Sequence, residues 1–577
     1  MKLRTSFFDK TVLRKDITRF APLWAIYFIG GLLVMLNVAD STGNNGYYAA
    51  SNVGETLPYF AIINLIYAGM AAQLLFGDLY NSRLCNALHA MPMRRENWFL
   101  THVVSGLLYS IVPNFVGIFL VMFRMGDFWF VAFIWLLGMT LQYLFFFGLA
   151  VFSVFCTGNR FAMAAVYGIL NGASMITLWF IQLIYQPLLY GVTIATEPFE
   201  VLCPIVQIVS NEDMIHWTYE LGLNGGYEAV RLYKYMGFGE GWGYLAIVAA
   251  IGVALLALSL VMYRRRRLEC AGDFIAITRL APVFCVVYTL CVGAVFAMFG
   301  ELVNSNYMPY LIVGLLVGWF TGRMLLQRTV KVFSGKNFLQ MGILTGAVLL
   351  SIGLTMLDPL GITRWTPKAE QVVSLSISDN PNYYRYEGEL TIEDPEDIQT
   401  LIDIHKYVIQ NGEAGRQNIN DPMVNLEFTY RLKDGRTVSR SYSAWVGQAV
   451  RNDLRKIFSD ARLYIPYEDW RTNPNRISWV EIDGQQIATA HHESLLSAIE
   501  ADCEAGNLAY AFQYHNASDS IKLWISITYR TDDGKQDIRE VRVFSDSANL
   551  IKWLKDNRDA WYSEEMYGVD IENILGN

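Results

Sequence analysis

The run FWFVAFIWLLGMTLQYLFFFGLAVFSVF, Phe128–Phe155, contains no charged residue. About 20 apolar residues in a row are enough for a helix to cross a bilayer. Eight further runs read the same way: Ala21–Val38, Pro58–Phe76, Trp98–Phe123, Phe161–Ile184, Trp242–Tyr263, Pro282–Phe299, Pro309–Leu326 and Phe338–Leu357. The chain is 53% hydrophobic, and these nine runs are where that excess sits. Residues 358–577 are polar and hold no further run of this kind. The fold class expected is a polytopic α-helical membrane protein of about nine spans, followed by a C-terminal α+β domain.

Lys and Arg near span ends set orientation. With the N-terminus inside, nineteen of them fall on the inner side, including Lys2 to Arg19, Arg83, Arg94, Arg95, Arg160, Arg264–Arg267 and Arg323 to Lys336. The outside loops between spans hold only Arg124, Arg231 and Lys234. Nine spans then place the C-terminal domain outside the cell, with the chain crossing the cell membrane many times. Charged residues run through Arg19 and no small-residue cleavage site follows, so no signal peptide is expected.

Several function classes are disfavoured. No Asp or Glu falls inside a span as drawn, whereas ion-coupled transporters usually keep a buried carboxylate there. No GxxxxGK[ST] phosphate loop occurs, so no nucleotide cofactor is expected in this chain. The seven cysteines form no CxxC and read as buried thiols. His491-His492-Glu493 is a poor metal site, because adjacent histidines on a helix point apart. No metal, no catalytic residue and no nucleic-acid partner is expected.

Between the second and third runs lies FGDLYNSRLCNALHAMPMRREN, Phe76–Asn97. Tyr80, Leu84, Leu88 and Met91 recur at helical spacing, ahead of Arg94, Arg95 and Glu96. Such a cytoplasmic face either docks into a partner's groove or only turns the chain at the membrane.

The order of these elements resembles that of the ABC-2-type permeases, the membrane subunits of ATP-binding cassette exporters. The basic segment Ser6–Arg19 is similar to that family's connecting helix. The helix after span two ends in Ala90-Met-Pro-Met-Arg94, similar to the family's LPxxR, with Met91 standing where Leu is frequent. A long segment, Gln186–Gly241, precedes span six and includes PFEVLCPIV at Pro198–Val206. YRRRRLECAGDFIAITRLAPVF, Tyr263–Phe284, resembles the RKxExAG junction of Gram-positive permeases with extra spans and an extracellular domain. The resemblance implies a six-span core over residues 1–265 and three added spans over 266–357. It also implies a partner ATPase carrying ATP and Mg, a second permease copy or related chain, and surrounding lipid. Tyr80, Arg83, Leu84, Leu88, Met91, Arg94, Arg95 and Glu96 would then couple the permease to the ATPase. The chain would be a transporter subunit and not itself an enzyme, exporting an antimicrobial peptide, a drug or a lipid. A membrane sensor or resistance subunit, binding a peptide antibiotic or cell-wall precursor outside, is the alternative.

The polar C-terminal region repeats itself. Thr429-Tyr430-Arg431-x-x-Asp434-Gly435 recurs as Thr528-Tyr529-Arg530-x-x-Asp533-Gly534, and each Asp-Gly lies between alternating strands, a hairpin signal. The hairpins expected are Asn425–Ser443 and Lys522–Ser545. Each follows a strand (Val372–Ile377, Ile477–Ile482) and a helix (Pro395–Gln410, Glu493–Cys503), and each precedes a helix (Ala444–Phe458, Ser547–Asp556). Two tandem α+β units, 358–466 and 467–577, are expected. The region holds 23 Lys and Arg against 36 Asp and Glu, which would draw cationic substrates at long range.

Overall fold

A computed structural model describes residues 9–40, 46–89, 94–210, 215–224, 228–239, 241–265, 273–276, 281–303, 306–378, 391–411, 423–445, 447–457, 477–505, 507–508, 521–530, 536–544 and 547–562. Contacts divide the chain into two units. The first is Met1–Ile184 with Ala195–Leu350, the second Tyr185–Ile194 with Ser351–Asn577.

Among the described residues, nine helices are long and apolar enough to cross a membrane. The first unit opens with a short amphipathic helix, α1 (Lys10–Arg19), followed by α2 (Ala21–Asp40) and α3 (Gly46–Leu75). The short α4 (Ser82–His89) precedes α5 (Arg95–Val121), α6 (Val131–Cys156) and α7 (Arg160–Tyr185). Two brief helices, α8 (Glu197–Val201) and α9 (Pro204–Ser210), and a hairpin of β1 (Ile215–Asn224) and β2 (Glu228–Phe238) lead to α10 (Trp242–Arg265). Then come α11 (Ala281–Leu302), α12 (Tyr307–Gln327) and α13 (Gly335–Leu357). Two features depart from expectation. Helix α3 begins at Gly46 and includes Pro58, where the expected run started; Gln142 Nε2 donates to the neighbouring Leu57 carbonyl at 2.9 Å. The β1–β2 hairpin occupies a stretch for which no strand was expected.

Lipid removes the hydrophobic force between spans, so close backbone approach and polar contacts hold them together. A Cβ on Gly252 of α10 would stand 2.6 Å from the Leu144 carbonyl oxygen of α6. Gly314 and Gly318 of α12 lie equally close to Gly293 and Thr289 of α11. A polar chain threads four spans: Asn114 Nδ2 donates to the Tyr27 hydroxyl (3.1 Å), which donates to Asn64 Oδ1 (3.0 Å), whose Nδ2 donates to Gln142 Oε1 (3.1 Å). Asn64 and Gln142 are fully buried there.

The second unit holds two four-stranded antiparallel sheets. The first has order β4-β3-β5-β6, with β3 (Val372–Ser378), β4 (Thr391–Ile392), β5 (Met423–Leu432) and β6 (Thr437–Trp445). The second has order β10-β9-β7-β8, with β7 (Ile477–Ile482), β8 (Gln485–Gln486), β9 (Ile521–Arg530) and β10 (Gln536–Phe544). Each central hairpin is preceded by a helix, α14 (Pro395–Asn411) or α16 (His492–Glu504), and each sheet has its own buried cluster. Helix α15 (Gln448–Ile457) begins later than the expected Ala444, because Ala444 and Trp445 pair with Val424 and Met423 at the end of β6.

In the first cluster the fully buried His405 of α14 is held between two tyrosine hydroxyls, Tyr430 on Nδ1 and Tyr442 on Nε2, both at 2.8 Å. In the second, the buried Asp502 carboxylate accepts from the Leu550 N–H (2.7 Å), the Asn549 N–H (3.1 Å), Asn549 Nδ2 (3.0 Å) and Asn507 Nδ2 (2.9 Å). It thereby satisfies the open N-terminus of the helix Ala548–Asp556. Asp502→Ala leaves those donors buried without an acceptor, at a cost of about 2 kcal/mol. Amide exchange of Leu550 is expected to quicken about thirtyfold, and an unchanged rate would show that water replaces the carboxylate there.

Candidate functional site

The segment between α3 and α5 departs from the single amphipathic helix expected for it. After α3 the backbone tightens into a 3-10 turn, Gly77–Tyr80, and Asn81 is extended. The Asn81 side-chain oxygen accepts from the Arg83 N–H (3.0 Å) and the Leu84 N–H (3.5 Å), which starts α4 afresh. The helix is therefore only eight residues long. Tyr80 lies before its start and packs, half-buried, on the main membrane core beside the buried Phe76 and Leu79. This separates Tyr80 from the exposed face that its spacing suggested.

That face begins at α4. Leu84 is 46% exposed, and Arg83 is exposed beside it. Cys85 on the opposite side is buried in the core. Leu88 belongs to α4, but its side chain lies outside the described set; Met91 lies outside the described residues altogether.

The basic cluster splits. Arg94 is exposed at the start of α5. Arg95 turns inward: its Nη1 donates to the carbonyls of Tyr263 and Arg264, both at 3.4 Å, and its guanidinium lies over the Tyr263 ring. Glu96 pairs with Arg264 Nε at 3.0 Å. Both side chains bind the last described turn of α10, Arg95 through its carbonyls and Glu96 through the Arg264 side chain. Arg95 and Glu96 thus tie α5 to α10 within the chain, while Arg83, Leu84 and Arg94 stay available.

The segment rests on a foundation that spacing alone did not reveal. Asp9 caps α1 through Thr11 and Val12, and its N–H donates to Thr101 Oγ1 of α5 at 3.2 Å. About two helical turns further, Asp16 is 5% exposed and places Oδ2 2.7 Å from Nδ1 of the similarly buried His102. The approach is close but lies outside good hydrogen-bond alignment. Ser105 Oγ donates to the same carboxylate oxygen at 2.9 Å, and the Tyr109 hydroxyl donates to the Asp16 carbonyl at 2.7 Å. Helix α1 is therefore keyed into α5 by a buried acid and base. The readable signal was His102, a lone histidine in an apolar run, together with Asp16 on the same face of α1 as Asp9. Their pairing was not readable.

Asn64, Asn114 and Asn171, polar residues inside the apolar runs, are all buried. Asn64 and Asn114 belong to the four-span polar chain, and the backbone of Asn171 accepts from Cys203 Sγ at 3.2 Å. No group of three or more His, Cys, Asp or Glu among the described residues is arranged to hold a metal. Comparison with family models, curated proteins and solved structures finds no match to this chain.

Proposed function

We propose that the chain is the transmembrane subunit of an ATP-binding cassette exporter, driven by a separate ATPase that seats on α4. The observation that carries this reading is the freshly capped, eight-residue α4 with exposed Leu84 and Arg83, standing between two spans. An isolated interfacial turn needs no such restart, whereas a short helix with an apolar tip and flanking cations fits a partner's cleft. The keyed α1 and the Arg95 and Glu96 ties to α10 support the same reading. They join the elements around α4, so that force applied there reaches α5 and α10. Positive charge on that side orients it to the cytoplasm, with the acidic C-terminal unit outside.

In this reading residues 1–265 form the core and 266–357 add three spans. The two sheets, with their matching strand order, arise from a tandem duplication over 358–466 and 467–577. The chain itself supplies no catalytic group; ATP and Mg act in the partner. Co-expression with an ATP-binding cassette ATPase encoded beside it, followed by purification through a tag on this chain, is expected to yield a complex stable to size exclusion. Failure of every such ATPase to co-purify would shift the assignment to a sensor whose external unit binds a peptide antibiotic or cell-wall precursor.

A further inference from the structure

The segment Tyr185–Ile194 belongs with the second unit, although the chain on both sides of it belongs to the first. It continues directly from α7 and is laid along the edge strand β6. Val192 forms an antiparallel bridge with Arg440, and the Ser441 N–H donates to the Gly191 carbonyl at 3.1 Å. The Tyr190 ring meets Tyr442 edge-on at 5.2 Å, and its hydroxyl donates to the Ser443 carbonyl at 3.4 Å. Gly191 is required at the centre. Its φ is +74°, and a Cβ there would overlap the Tyr442 ring.

The root of this segment is tied as well. The hydroxyls of Tyr185 and Ser351 share a hydrogen bond of 2.6 Å, and Ser351 lies in α13. Beyond α13 the Asp358 carboxylate accepts from the Ile362 N–H (2.7 Å), the Thr363 N–H (3.0 Å) and the Thr363 hydroxyl (2.6 Å), which folds the chain into a tight turn. That turn presents the Ile362 carbonyl to Arg440 Nη2 at 3.1 Å, while the guanidinium lies over Trp365. Arg440 is only 7% exposed, and its Nε makes no hydrogen bond. The Asp358 carboxylate of the same turn acts on this cation as well. Here the cation pins the connection from α13 to the strand that also carries the segment from α7.

We infer that Tyr185–Ile194 is a mechanical strap, with Arg440 as its node, through which the state of the first sheet is transmitted to α7 and α13. The circuit is closed: α7, strap, β6, Arg440, the turn at Asp358, α13 and back to α7 through Tyr185 and Ser351. The inference does not depend on which partner the membrane unit binds.

Hydrogen exchange of the full chain in lipid nanodiscs tests it without any ATPase. Two variants are compared with wild type: Gly191→Val, which drives a side chain into Tyr442, and Tyr190→Ala, which removes one ring. The expected result in both is at least tenfold faster exchange at the Ser441 amide and in the last two turns of α7, with the β3–β5 ladder unchanged. Faster exchange at Ser441 with a wild-type rate in α7 would overturn the proposal, as would no change at either place. If the bulkier Gly191→Val also loosens the β3–β5 ladder, Tyr190→Ala decides between these outcomes.

Discussion

Asp16→Ala is expected to release α1 from α5 and to destabilise the first unit by about 3 kcal/mol, the upper range for leaving buried polar groups without their partner. The loss has two parts. His102 remains buried beside Trp98 and Phe76 without its acidic neighbour, and Ser105 loses an acceptor. The Tyr109 contact survives, because it uses the Asp16 backbone. Limited trypsinolysis in detergent is a direct measurement, since Arg14, Lys15 and Arg19 lie on α1. Cleavage is expected to rise more than tenfold in Asp16→Ala. In the double variant with His102→Leu most of the loss is expected to return, because two apolar groups strand no polar partner. Additive losses in the double variant would show that the two groups do not act as a pair.

The second large effect is an acid sensitivity built into the first C-terminal sheet. Burial pushes the His405 pKa down to about 3, and Arg440 nearby adds to the shift. The unfolded imidazole titrates near 6.5. Between these values the unfolded chain binds a proton that the folded one refuses, so stability falls as pH drops through 6.5 and levels off near 3. The full span is on the order of 4 kcal/mol, of which about half is lost by pH 5. The geometry agrees: a neutral ring accepts at one nitrogen and donates at the other, as its two tyrosine hydroxyls allow. His405→Gln in the full chain is expected to flatten this dependence between pH 7.5 and 5, as read by hydrogen exchange in β5 corrected for intrinsic rates. An equal pH dependence in the variant would place the sensitivity elsewhere.

Local order was legible in the sequence; pairing over distance was not. The nine apolar runs became nine span-length helices, because span length and hydropathy are properties of a contiguous stretch. The Asp434-Gly435 turn joins β5 to β6 for the same reason: Gly435 takes the positive φ that the turn demands. Tyr80 shows the limit. It fits the helical spacing of Leu84, but the cap at Asn81 breaks the helix between them, and the core claims Tyr80 instead. Arg95 and Glu96 read as one surface with Arg83 and Arg94, yet their partners lie far along the chain at the end of α10. The β1–β2 hairpin was legible as well: Asn224-Gly225-Gly226, a hairpin turn signal, stands between its two strands. The strap was missed because a bridge from Val192 to Arg440 leaves no periodic trace.

The central claim is that α4 seats the ATPase. Its most direct test is capture of the co-expressed ATPase by purified full-length protein, comparing wild type with Leu84→Asp/Leu88→Asp, both confirmed monodisperse. The account predicts capture by wild type and its loss in the double variant. Equal capture by both would contradict it, and would leave Phe76–Asn97 as no more than the turn that carries the chain back into the membrane.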